Sequence, residues 1–131
     1  MHPAYFHTMF HVEQPVKAWP AQFAIITAYA TTGQAWSSDA NESADQRLSR
    51  ELQSSGVWMV RITGFSPETG HAEPGWAVSM NFESACDLGH RYLQDALYVV
   101  RNGVLYVSFC DDRRQLVHVG DFAKRLTLQQ S

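Results

Sequence analysis

The apolar positions of this chain change period several times, and the changes mark out strands and two helices. Phe23-Ala-Ile-Ile-Thr-Ala-Tyr29 is an almost continuous apolar run between Pro20 and a polar, Gly33-containing loop, Ala30 to Asp39. That is the pattern of a strand covered on both faces. Over 41–54 the spacing lengthens: Ala44, Leu48 and Leu52 form one stripe, while Arg47, Arg50 and Glu51 face away. Ser38 or Asp39 is placed to cap this helix and Gly56 to end it. Val57 to Thr63 returns to alternation and predicts a second strand. Gly64 to Gly75 reads as a loop of turn formers, and Trp76 to Met80 as a third strand.

Asn81 then caps a second helix running to about Gln94, with Phe82, Ala85, Cys86, Gly89, Tyr92 and Leu93 on one stripe. Ala96–Arg101 and Val104–Phe109 flank Asn102-Gly103, a strong hairpin signal because both turn residues must take positive φ. Asp111 to Arg114 make a further turn, and Leu116–Val119 a last short strand. Gly120-Asp121 then starts a terminal helical turn, followed by the polar tail Gln129-Gln130-Ser131. The order β-α-β-β-α-β-β-β predicts an α+β domain. Its expected form is a split β-α-β, ferredoxin-like arrangement with two helices on one face of a mostly antiparallel sheet. Residues 1–20 are expected to be a leader or arm, and 21–131 a single domain. In that leader Tyr5, Phe6, Met9 and Phe10 recur at helical spacing, and Pro15 and Pro20 close it off.

The length of 131 residues suits one domain with an ordinary core, and 45% apolar against 18% charged residues excludes a disordered chain. A formal net charge of −3 provides no basic patch to displace phosphate counterions, so nucleic-acid binding is disfavoured. Arg113-Arg114 is preceded by Asp111-Asp112, which cancels its field. No apolar run is long enough to span a bilayer. The first residues also lack the basic, apolar and small-residue order of a signal peptide, so a cytoplasmic location is expected. The two cysteines, Cys86 and Cys110, are compatible with one disulfide or with two free thiols.

The Gly64 to Gly75 segment carries the candidate chemistry. Glu68, His71 and Glu73 fall within six positions, enough for acid-base work or metal binding, although the same residues read better as a solvated turn. His71-Ala72-Glu73 matches the H-x-E of zinc deaminases, but their P-C-x-x-C is missing and Pro74-Gly75 leads into a strand. Cys86 and His90, one helical turn apart, complete a His71, Cys86, His90 set that would suit zinc; no cofactor is otherwise expected. His7 and His11 also stand at i and i+4, but read better as the wet face of the leader. In the expected topology Tyr29, Asn41 and Arg91 would line the same cleft as the loop. No nucleophile elbow and no phosphate-binding Gly-rich loop is present.

Several of these pieces resemble a bacterial family known as domain of unknown function 3293. They are Ile25-Ile26-Thr27-Ala28-Tyr29, Gly33, Asn41 with Leu48 and Leu52, Gly64 through the Glu73-Pro74 turn, the strand after it, and Ala85 to Gln94. The likeness covers roughly residues 21 to 110, with Ala30-Thr31 where the family has Asn-Pro. It implies a small one-domain bacterial protein and no activity. The reading preferred from sequence is therefore a non-enzymatic binding or interaction domain. Tyr5, Phe6, Phe10 and Trp19, expected to be exposed, would offer a route to a homodimer. The alternatives are a small metal-dependent or acid-base hydrolase using the Gly64 to Gly75 loop, and a ligand-sensing regulatory domain.

Overall fold

A computed structural model describes residues 1–30 and 35–128; Gly33 and the tail Gln129-Gln130-Ser131 lie outside the described residues. A 3-10 turn, Pro3–Phe6, leads into β1 (Met9–Val12), β2 (Gln22–Ile26) and α1 (Ser38–Ser55). Then follow β3 (Met59–Phe65), β4 (Ala72–Val78), α2 (Phe82–Arg91), β5 (Ala96–Arg101) and β6 (Val104–Phe109). The described chain finishes with β7 (Val117–Asp121), α3 (Phe122–Arg125) and β8 (Leu126–Leu128). All eight strands form one sheet in the order β7-β6-β5-β2-β4-β3-β1-β8.

The local signals account for most boundaries. Ser37, one residue before the expected cap, accepts a hydrogen bond from the Ala40 N–H and starts α1, and Gly56 ends it at φ +71°. The Asn81 side chain accepts from Ser84 N–H and starts α2. Asn102 and Gly103, at φ +49° and +82°, turn β5 into β6 with the paired residues the alternation predicts.

The ferredoxin-like arrangement is overturned. The sheet is an eight-stranded, mixed, curled half-barrel and the protein is mostly β; among the described residues it carries three helices, of which α3 is a single turn. β1 pairs antiparallel with β3 and parallel with β8, so the leader and the end of the chain both enter the sheet. The curl is measurable. β1 and β5 are four strand spacings apart, roughly 19 Å in a flat sheet at about 4.8 Å per step. Yet the rings of Phe10 on β1 and Tyr98 on β5 meet edge-on with centroids 5.1 Å apart.

Curling gives the sheet two cores. On its outer face α1 and α2 bury Leu48, Leu52, Ala85, Cys86 and Leu88 against Ala24, Ile26, Val78 and Val99. On the inner face Phe10, Phe23, Ile62, Val100, Leu105 and Phe122 form a second cluster. Phe122 of α3 lies 5.2 Å from Trp19, 5.4 Å from Phe23 and 6.0 Å from Phe10, centroid to centroid. The leader aromatics expected on the surface therefore pack inward: Phe10 is fully buried, and Tyr5, Phe6 and Trp19 are half-buried against this cluster. The helical spacing misled because β1 shows only two inward positions, Phe10 and Val12.

α1 is tied to the sheet by a charge pair. Asp45, on the edge of the α1 stripe, accepts two hydrogen bonds from the Arg61 guanidinium at 2.8 and 2.9 Å and one from the Trp76 indole N–H at 3.2 Å. The guanidinium also stacks over the Trp76 ring, 4.4 Å from its centroid. Replacing Asp45 by Ala leaves the partly buried Arg61 cation with only the Gly75 carbonyl, at 3.4 Å, and removes the acceptor of the Trp76 indole N–H. The expected loss is about 2–3 kcal/mol in denaturant unfolding, the low side of a broken buried pair because Arg61 retains some solvent. A loss below about 0.5 kcal/mol contradicts this role, since that is the scatter of ordinary surface substitutions.

Candidate functional site

The segment read as a long loop is a compact hairpin. β3 extends to Phe65 and β4 begins at Ala72, with Phe65 paired to Ala72 and Gly64 to Glu73. The turn between them is closed by Ser66 N–H donating to the His71 carbonyl and Gly70 N–H donating to that of Ser66, both at 2.8 Å. Gly70 sits at φ +75°, where a side chain would be strained. Pro74 and Gly75, apparent turn formers, are strand residues. Thr27 donates through Oγ1 to the Pro74 carbonyl at 2.9 Å, so Pro74 turns its ring nitrogen toward β2 beyond Trp76, the last β4 residue paired with β2. A proline costs no ladder bond there.

Alternation along β4 puts Glu73 on the same inner face as Gly75 and the fully buried Ala77. The His71 ring follows Glu73, with Nε2 at 3.2 Å from Glu73 Oε1. The two differ in depth: the His71 side chain is 73% exposed and that of Glu73 28%. Behind Glu73 the half-barrel is unfilled. An inner cavity of about 130 Å³ is walled by Phe10, Ile25, Ile62 and Tyr98, and by Gly64 and Gly75, which place no side chain in it. A Cβ on Gly75 would lie 2.7 Å from the Ile26 carbonyl oxygen, so close packing on β2 keeps that wall bare.

The 3-10 turn at the chain start roofs this space. His2 Nδ1 accepts from Ala4 N–H at 3.0 Å, and the Tyr98 hydroxyl donates to the Tyr5 carbonyl at 2.7 Å. Burial pushes the Tyr98 phenol well above its ordinary range, so it stays a neutral donor even in alkaline solution. Outside the inner cavity, and sharing Ala4, Ser66, His71 and Glu73 with it, lies an outer cleft of about 760 Å³. Glu68, Tyr29, Asn41 and Trp36 line this outer part. The segment carrying Tyr29 is held from two sides. Asn41 accepts from Ala30 N–H at 2.8 Å, and the buried Gln94 donates to the Tyr29 carbonyl at 2.7 Å.

Five residues singled out in the sequence thus converge: Glu68, His71, Glu73, Tyr29 and Asn41. Arg91 does not join them. It pairs with Glu51 and ties α2 to α1, with the Tyr92 hydroxyl donating to the same carboxylate at 3.1 Å. The Arg91 hydrogen bonds hold the Glu51 carboxyl below its usual range. Among the described residues no three His, Cys, Asp or Glu side chains converge as metal ligands, so His71, Cys86 and His90 are not a ligand set. Sequence reasoning missed Thr27, Gln94 and Tyr98. The first was legible as the lone hydroxyl inside an apolar strand; the other two owe their place to the curl.

Cys86 and Cys110 are both free and fully buried under α2. Cys86 donates to the Phe109 carbonyl at 3.8 Å, and a Cβ on Gly89 would come within 2.8 Å of the Cys110 sulfur. Hydrogen bonding to Cys86 and burial push the Cys110 thiol up. Thiol and not thiolate therefore prevails there, and the thiolate is the reactive form. Ellman's reagent at pH 8 is expected to leave the native protein unlabelled over minutes and to titrate both thiols once it is unfolded. Rapid labelling of the native protein would contradict the burial.

Among the described residues no helix is long and apolar enough to cross a membrane. The family model described as a protein of unknown function, DUF3293, matches residues 26–97, from the last residue of β2 to the start of β5. No curated protein and no solved structure matches the chain.

Proposed function

The chain belongs to the DUF3293 family, from which no activity follows, and we propose from the geometry that it is a small-molecule-binding domain. Its ligand enters between the 3-10 turn and the β3–β4 hairpin. The observation that carries this reading is the two-part cavity: an inner chamber in the half-barrel and a larger outer cleft beside it, which share Ala4, Ser66, His71 and Glu73 in their walls. Protein interiors are close-packed, and space of this size left open beneath a half-barrel mouth with convergent polar groups is the usual form of a ligand site. The wall residues that leave the space are fixed by the fold and do not collapse into it. Gly75 is locked against β2, and Tyr98 is held back by its bond to Tyr5.

The contact between His71 and Glu73 favours acid-base hydrolysis as a second reading, because a carboxylate orients an imidazole for proton transfer. The exposure of His71 counts against it, since general bases act best in sites that exclude water.

The inner chamber is close to the ~150 Å³ of an engineered cavity that takes up benzene, so benzyl alcohol serves as a neutral probe. Titration into isotope-labelled protein is expected to shift the amides of Thr27, Gly64, Ser66, Glu73 and Gln94 with one saturating curve. Shifts scattered over the α1–α2 face, or none up to the solubility limit, would remove the binding reading. Ester hydrolysis that falls at least tenfold in His71→Ala would instead support the second reading.

A further inference from the structure

The charged groups around the cleft are of one sign. Two carboxylates, Glu68 and Glu73, line it, and among the described residues no Lys or Arg does. Arg125, reaching toward the same end of the half-barrel, is turned to the chain: its guanidinium donates to the Phe6 and Thr8 carbonyls at 3.0 and 3.2 Å. His2, His7 and His71 also line the outer part. His2 Nδ1 is engaged by the Ala4 N–H and His71 Nε2 by Glu73. Tyr29 and Trp36 add aromatic surface beside the carboxylates. Anionic ligands, carboxylates and phosphates alike, find no fixed cation here. A cation finds two acceptors, two aromatic rings and an apolar chamber behind them.

We propose that the cleft binds an organic ammonium or amidinium compound. Its charged nitrogen sits between Glu73 and Glu68, and its compact apolar body occupies the chamber walled by Phe10, Ile25, Ile62 and Tyr98. This rests on the small-molecule reading of the same cleft. Glu73 is the residue that makes the selection, because it alone of the two carboxylates lines both the chamber and the outer cleft. Oε1 is partnered by His71, and a carboxylate retains acceptor sites beyond one such bond.

Three ring compounds of matched size test the inference by calorimetry or chemical-shift titration at pH 8, where ordinary histidines are neutral. They are benzylammonium, benzyl alcohol and benzoate. Benzylammonium is expected to bind at least tenfold tighter than benzyl alcohol, and benzoate weaker than either. Glu73→Gln is expected to lower benzylammonium affinity at least tenfold while leaving benzyl alcohol within twofold. Glu68→Gln, on the exposed turn away from the strands, should lower it severalfold without affecting folding. Equal binding of the amine and the alcohol, or no loss in both Gln variants, overturns the ammonium inference and leaves the cleft a binding site. Failure of all three compounds to bind overturns both.

Discussion

The edge-on contact of Phe10 with Tyr98 is the constraint on which the rest of the structure depends. It joins a strand near one edge of the sheet to one near the middle, and it is possible only if the sheet curls. Once curled, the sheet has an inside, and that inside is too wide for its strand residues alone to fill. At one end Trp19, Phe23, Trp58 and Phe122 fill it with stacked and edge-on rings. At the other end Gly64 and Gly75 stand where large side chains would be needed, and the space stays open. One barrel interior thus serves as a core over half its length and as a chamber over the other half.

The outer face follows a different logic. There the apolar stripes of α1 and α2 supply burial, and ionic ties fix how the helices sit. Asp45 joins α1 to β3 and β4 through Arg61 and Trp76, and Arg91 joins α2 to α1 through Glu51. Arg114 reaches from the β6–β7 turn to Glu83 and Asp87 on α2, both at 2.8 Å. The pairs on α2 are exposed and contribute little stability each, but they set orientation. The Asp45 cluster is more deeply placed and carries more of the stability. Because Asn41 lies one helical turn before Asp45, the same tie also steadies the Asn41 side chain that accepts from the Ala30 N–H, just after Tyr29.

Elements governed by short-range chemistry were legible in the sequence. The Asn102-Gly103 hairpin needs two positive φ angles that few residue pairs supply. The caps at Asn81 and Gly56 act within one turn, and the helix stripes repeat over several turns. β1 and β8 were not legible, since each is short and held only by partners distant in the sequence, β1 by β3 and β8, and β8 by β1. The bond from Thr127 Oγ1 to the Phe10 carbonyl spans 117 positions. Glu73-Pro74-Gly75 has the composition of a turn, and only the end of β2 pairing beside it makes a strand acceptable. The candidate residues fared according to the same division. Glu68, His71 and Glu73 came together because a hairpin holds them. Tyr29 and Asn41 joined them through the β2–α1 connection, whereas Arg91 was drawn to the nearer carboxylate on α1.

The pairing of β1 with β8 also sets an order of events during synthesis. β1 leaves the ribosome more than 100 residues before its outer partner and before the Arg125 that grips the Phe6 and Thr8 carbonyls across 119 and 117 positions. Contacts of such high sequence separation form slowly and late. The turn that roofs the chamber can meanwhile be held only by the pairing of β1 with β3 and by the Tyr98 hydroxyl on the Tyr5 carbonyl, and gains its outer strand and the Arg125 grip later. β2 to β6 and both long helices can assemble meanwhile around the outer core. A nascent chain would thus pass through a stage with a finished outer layer and an open inner face, its aromatic rings exposed until the last strand locks into place.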